Sequence, residues 1–152
     1  ILVGGGASAD QLRDRSRTNG LGGRVTFLGR QPYDRIPALA AAMDVLLAPY
    51  AAQQRFYFSP LKLFEYMSSG RAVLAARLGQ IAEVVQHREN GMLYDPSSSQ
   101  DFLCKLGELA RSPELRARLG ANARRTIQQH YTWDHNARLV AEALEKAVAT
   151  RQ

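Results

Sequence analysis

Two short runs decide the fold class: Val45-Leu46-Leu47-Ala48 and Ala72-Val73-Leu74-Ala75-Ala76. Each is apolar at every position, with no alternation, so each reads as a strand covered on both faces. A sheet buried on both sides needs helices above and below it. Short apolar runs alternating with helical patterns therefore predict an α/β protein with parallel strands joined by helical crossovers.

The remaining segments fit that plan. Ile1-Leu2-Val3 is a first strand ending at Gly4-Gly5-Gly6, and a helix from Ser8 to Thr18 stops at Asn19-Gly20. Val25-Thr26-Phe27-Leu28 is the second strand and Tyr33–Met43 a short helix with Ile36, Leu39, Ala40 and Met43 on one face. Pro49 ends the third strand, and a loop rich in aromatic and basic residues leads into a helix over Ser59–Ser69, halted by Gly70. After the fourth strand come a short helix over Ile81–Gln86, a turn at Asn90-Gly91 and a strand at Met92-Leu93-Tyr94. From Ser97 onward the pattern is helical, broken at Ser112-Pro113 and at Tyr131-Thr132-Trp133. In the last helix Ala137, Val140, Leu144, Ala147 and Val148 form an apolar stripe, with Trp133 expected to anchor it.

With 152 residues, 45% of them hydrophobic, the chain has enough apolar material for one globular domain. The formal charge of +6 raises the question of nucleic acid. The arginines are scattered, with one modest cluster from Arg111 to Arg125 and no aromatic platform among them, so a solvated helix face is the better account. Cys104 is alone, which excludes a disulfide framework and leaves core packing as the expectation. His87 and His130 read as polar surface positions, and no pair among His87, His130 and His135 has metal-ligand spacing. No apolar run reaches transmembrane length and no signal peptide is present, which predicts a cytoplasmic location. The chain opens on a strand at full stride, as a piece of a longer protein would.

Chemistry concentrates in Phe58-Ser59-Pro60-Leu61-Lys62-Leu63-Phe64-Glu65-Tyr66-Met67. A hydroxyl followed by proline is a helix-start signal. The backbone N–H groups of a first turn attract an anion, and Lys62 adds a full charge beside them. Glu65, at i+3 from Lys62, lies on the same surface one turn on. That spacing suits a nucleotide, with diphosphate at the helix tip and ribose hydroxyls on the acid. It equally suits a capped amphipathic helix with a Lys–Glu pair.

Taken in order, these signals resemble the C-terminal half of a GT-B fold glycosyltransferase of the family 4 type. The matching segments are Leu2-Val3-Gly4-Gly5-Gly6, Val25–Gly29, Ala42–Pro49, Ser59–Met67, Gly79 followed by Glu83-Val84-Val85, Asn90-Gly91, and Tyr131-Thr132-Trp133. The resemblance implies a Rossmann-like parallel sheet with flanking helices, lacking its first βα unit. It also implies a nucleotide-diphosphate sugar as donor, transferred with retention to an acceptor held by a separate N-terminal half. On this resemblance Ser59, Pro60, Leu61 and Lys62 meet the donor diphosphate and Glu65 holds the ribose. Arg30 and Gln31 fall where the base-binding loop lies, and Gly4, Gly5, Gly6 and Tyr57 line the base or the cleft. Tyr57 stands where many members carry a further glutamate, and the family's Gly-Gly pair is here Gly79-Gln80. The family's donor-phosphate Arg and Lys have no counterpart in this chain, so no complete catalytic set is expected. No Asp-x-Asp sequence occurs, so no metal or other cofactor is expected.

Two rival readings stay open at this point. Gly4-Gly5-Gly6-Ala7-Ser8-Ala9 fits the dinucleotide fingerprint, but the next strand ends Leu28-Gly29-Arg30 with no acid for a ribose; an NADP version could use Arg30. The other is a non-catalytic nucleotide-binding module. The resemblance also implies a central strand between Ile1–Val3 and Val45–Ala48. Without it, those two strands are expected to pair directly or to recruit a strand from a second copy. The last helix, which in the family packs on the N-terminal half, is expected to find a neighbour or stay unpartnered. The cationic surface leaves room for peripheral membrane contact and no nucleic-acid partner.

Overall fold

The computed structural model describes residues 1–52 and 60–149, in two compact units, Ile1–Leu39 and Ala40–Gln152. The first unit holds β1 (Leu2–Val3), α1 (Ala9–Thr18) and β2 (Phe27–Gly29), followed by a 3-10 turn at Tyr33–Arg35 and the start of α2 (Ile36–Ala41). β1 and β2 are parallel, with Leu2 opposite Phe27. Gly20 follows α1 at φ +69 and Gly29 ends β2 at φ +64, the left-handed backbone that glycine adopts without strain.

The second unit holds β3 (Val45–Ala48), α3 (Leu61–Ser68), β4 (Ala72–Ala76), α4 (Gly79–Val84), β5 (Met92–Tyr94), α5 (Ser99–Arg111), α6 (Pro113–His130) and α7 (Trp133–Ala149). Its strands run parallel in the order β3-β4-β5. β4 is central and all five of its residues are buried, as its continuous apolar sequence requires. Its side chains alternate between two cores. Val73 and Ala75 pack with Leu63 and Met67 of α3 and with Ala123 and Ile127 of α6. Ala72, Leu74 and Ala76 pack with Met92, Leu109 of α5 and Leu119 of α6.

Helix α6 thus touches both faces of the sheet, and it does so past the amino end of β4. Gly120 is where it crosses: a Cβ there would collide with the Gly70 carbonyl oxygen and come within 3.1 Å of the Arg71 carbonyl carbon. The helix is stitched to its neighbours by Arg116, whose guanidinium donates to the Leu109 and Ala110 carbonyls at the end of α5 and pairs with Asp44 at 3.4 Å. With α6 across the amino ends, the carboxyl ends of β3, β4 and β5 are left for other use, the side where open α/β sheets bind ligands.

Several expectations change. β1 pairs with β2 within the first unit, and β3, β4 and β5 pair within the second. Cys104 is exposed rather than in the core, because the buried stripe of α5 runs through Phe102, Leu106 and Leu109, and position 104 turns about 200° away from 102. Trp133 is 82% exposed and anchors nothing among the described residues. None of the described residues of α7 is buried. No helix of the described residues is long and apolar enough to cross a membrane.

Candidate functional site

Helix α3 begins at Leu61, with Pro60 at its cap position (φ −81, ψ 70) and the Leu63 N–H bonded to the Pro60 carbonyl at 2.8 Å. The cap expected at Ser59 therefore falls one residue later, at Pro60. Ser59 and Tyr57 lie outside the described residues. The Pro60 side chain is fully buried, so it shapes the turn and offers no side-chain contact to a ligand.

What holds α3 in place is its inner face. Leu63 and Met67, one turn apart, are completely buried. Each side chain contributes about 1.5–3 kcal/mol on burial. Phe64 packs its ring on Tyr131 at 5.3 Å, an aromatic pair that adds about 1 kcal/mol. Tyr131 belongs to the Tyr131-Thr132-Trp133 signal, whose Thr132 Oγ1 accepts from the His135 N–H to start α7. At the far end the Ser68 hydroxyl and the Ser69 N–H both donate to the Glu65 carbonyl oxygen, and Gly70 follows at φ +75.

The outer face is the chemical one. Leu61 and Lys62 are exposed at the first two helical positions, where an α-helix has no carbonyl of its own to satisfy the N–H groups. Glu65 sits half-buried one turn on. Beside it, burial raises the Tyr66 phenol above its usual range, and the charges of Tyr50 and Glu65 push the same way. Tyr66 therefore keeps its proton at any ordinary pH. Tyr50, half-buried just beyond Pro49 at the carboxyl end of β3, carries no motif signal; only its place after a strand-ending proline marks it in the sequence.

In the first unit, the structure brings Gly4, Gly5, Arg30 and Gln31 together at the carboxyl ends of β1 and β2. The Gly4 N–H donates to the Gly29 carbonyl at 2.8 Å, and Gly4 adopts φ +132. The Arg30 side chain lies along Gly5, where a Cβ would meet its Cγ at 3.2 Å. Gly6 has open space on its side-chain side. The Gln31 amide nitrogen donates to the Leu28 carbonyl at 2.7 Å.

One of the segments that carry the resemblance, Asn90-Gly91, turns out to be a structural fastener. Asn90 is buried: its Oδ1 accepts from the Gln86 N–H at 2.8 Å, and its amide nitrogen donates to the Val84 carbonyl and the Thr126 hydroxyl. A Cβ on Gly91 would come within 2.8 Å of Val85. His87, expected at the surface, is half-buried and accepts the Leu93 N–H through Nδ1 at 3.0 Å.

The order and geometry of these parts match a known family. Residues 1–126 fit the family described as glycosyl transferases group 1. The chain belongs to that family. A D-inositol 3-phosphate glycosyltransferase of Rhodococcus opacus is 29% identical over 97% of this chain and 33% of its own length. A GDP-mannose-dependent alpha-(1-6)-phosphatidylinositol monomannoside mannosyltransferase of Mycobacterium tuberculosis is 28% identical over 99% of this chain and 40% of its own length. The crystal structure of Anabaena Alr3699/HepE in complex with UDP superposes with a TM-score of 0.83 at 29% identity, over 96% of this chain and 40% of that one. This group 1 chain thus spans about a third of the length of the curated relatives it matches, and its Rossmann-like α/β architecture is that of the GT-B glycosyltransferases.

Proposed function

We propose that this chain is the donor-binding part of a glycosyltransferase that moves a sugar from a nucleoside-diphosphate sugar to an acceptor, with retention at the anomeric carbon. The observation that carries the reading is helix α3: its inner face is locked by Leu63 and Met67, while its first turn and Lys62 face outward with Glu65 one turn behind. A rigid helix tip with an adjacent cation suits the diphosphate, and a carboxylate about 5 Å further along the axis suits the ribose hydroxyls. One relative is named for its dependence on GDP-mannose and a solved neighbour holds UDP, which supports a nucleotide donor of this kind.

Chemically, breaking the bond from the anomeric carbon to the diphosphate leaves negative charge on the departing oxygen. Preorganised donors aimed at that charge are each worth about 3 kcal/mol in a closed site. Lys62 and the N–H groups of Leu61 and Lys62 supply one such set, with no metal ion called upon. In the first unit, Gly4, Gly5, Gly6, Arg30 and Gln31 are the residues that the family resemblance assigns to the base or the cleft.

Calorimetric titration separates this from the dinucleotide reading. The protein is expected to bind UDP- or GDP-sugars and to ignore NAD and NADPH. Binding of NADPH with no response to either nucleotide sugar would overturn it.

A further inference from the structure

One side of α1 carries polar groups that the fold does not use. Arg13, Ser16 and Arg17 fall at i, i+3 and i+4, so they share a face of the helix. With Gly22, Val25, Thr26 and Phe27 they line a cavity of about 330 Å³. That volume is at the small end of ligand sites, which run from about 300 to 1,000 Å³. The cavity lies where the chain enters β2, at the other end of that strand from Gly29.

The Arg13 guanidinium is held over the Phe27 ring, its Cζ 4.7 Å from the ring centroid. That attraction acts on the charge and consumes none of the N–H donors. They meet no hydrogen-bond acceptor and no carboxylate among the described residues. Arg17 is paired with Asp14 at 3.8 Å, a long contact between exposed groups that an incoming anion can replace. Ser16, next to it, is 8% exposed, and its hydroxyl oxygen has no hydrogen-bond partner among the described residues. A serine inside a helix can donate to the carbonyl four residues back, and buried polar atoms are nearly always paired. Here the helix does not satisfy the hydroxyl, and the cavity that Ser16 borders is where a partner can enter.

From Arg13 to Val25 the chain carries four arginines and one acid, Asp14, so the local field selects an anion. Two planar donor forks one turn apart suit a phosphate, which can offer oxygens to both. We propose that this cavity binds a phosphate monoester, with Arg13 and Arg17 donating to its oxygens and Ser16 completing the site. The phosphate can belong to a soluble compound or to a lipid headgroup, since the group recognised is the same. None of these residues takes part in the donor reading above, so the two readings are tested separately.

The test is calorimetric titration of the full chain with inorganic phosphate and with glycerol 3-phosphate. Saturable binding of both is expected, weakened about tenfold in Arg13→Gln and about threefold in Ser16→Ala. Arg15→Gln removes the same charge from the same helix, but Arg15 does not line the cavity, so the affinity should stay within about twofold. Should Arg13→Gln fail to fold, Arg17→Gln, at an exposed side chain, carries the same expectation. Vesicles of phosphatidylcholine containing phosphatidic acid identify the source. Cosedimentation that glycerol 3-phosphate reverses assigns a headgroup, and glycerol 3-phosphate binding without cosedimentation assigns a soluble ligand; both uphold the site. Absence of saturable binding to every one of these probes would overturn it. So would equal losses in Arg13→Gln and Arg15→Gln, an affinity unchanged in both Arg13→Gln and Ser16→Ala, or binding that Lys62→Gln alone abolishes, which would put the anion on α3.

Discussion

At the level of single residues, Gly120 shows how closely the second unit is packed. Alanine is the better helix former by about 1 kcal/mol, so on an open helix Gly→Ala would stabilise. Here the new methyl group would strike backbone, the Gly70 carbonyl, which cannot rotate away. Overpacking against an immobile neighbour costs about 1–3 kcal/mol or more and outweighs the propensity gain. Gly120→Ala is therefore expected to lower the urea midpoint; an unchanged or raised midpoint would show that α6 can shift. His87 makes a second case. Burial lowers its pKa below the usual 6.5, reinforced by Lys105, Arg77 and Arg88 and opposed by Asp101. Protonation at Nδ1 would also break the bond from the Leu93 N–H. Because the folded-state pKa lies below the unfolded value, the unfolded chain binds more protons in the window beneath 6.5. The stability His87 supports is thus complete above that value and lost as the pH falls through the window. Urea midpoints measured from about pH 7 to pH 5 should fall, and His87→Gln should flatten part of that slope. An identical slope in the variant would remove His87 from the account.

At the level of elements, most of the architecture was legible. The continuous apolar runs 45–48 and 72–76 became β3 and the central β4 with the bounds expected. Breakers worked the same way: Asn19-Gly20, Gly70 and Ser112-Pro113 sit where helices stop or start. Helix starts were less legible. Ser59-Pro60 reads as cap and first helical residue, yet Pro60 takes the cap position and its ring is absorbed by the core, a tertiary effect no local pattern carries. Periodicity also reports an apolar face without reporting what covers it. The stripe of α7 is as regular as that of α5, but Val140, Leu144 and Val148 are all exposed. For the same reason the resemblance signals Asn90 and Gly91 could not be told from ligand contacts in the sequence, while the structure shows Asn90 tying the turn before β5 to Thr126 of α6 and Gly91 fitted against Val85. Since none of its described residues is buried, α7 contributes little to the second unit. Ending the chain after Tyr131 should leave the thermal midpoint within about 2 °C, the shift expected for well under 1 kcal/mol at this size. A fall of about 10 °C would mean that α7 packs on the unit in solution.

At the level of the whole molecule, two compact units each present glycine or helix-tip backbone at the carboxyl ends of parallel strands, which is the ligand side of an α/β sheet. In the second unit the arrangement has a mechanical cause. Helix α6 crosses at the amino end of β4; its Ala123 and Ile127 share one core with Leu63 and Met67 of α3, and its Leu119 lies in the other. Lys62 and Glu65 are consequently fixed relative to each other by a helix whose inner face is fully buried. Membership of the glycosyl transferases group 1 family rests on residues 1–126 as a whole; the assignment of roles rests on that helix. If Glu65 holds the ribose, the protein must distinguish a ribose from a deoxyribose. The direct measurement is the ratio of dissociation constants for a ribonucleoside diphosphate and its 2′-deoxy counterpart, in the parent protein and in Glu65→Gln. A preference of about tenfold or more for the ribonucleotide is expected, since a hydrogen bond to a charged group is worth about 1.5–3 kcal/mol, and it should collapse in Glu65→Gln. An equal affinity for both nucleotides in the parent protein, or a preference that persists undiminished in Glu65→Gln, would contradict it.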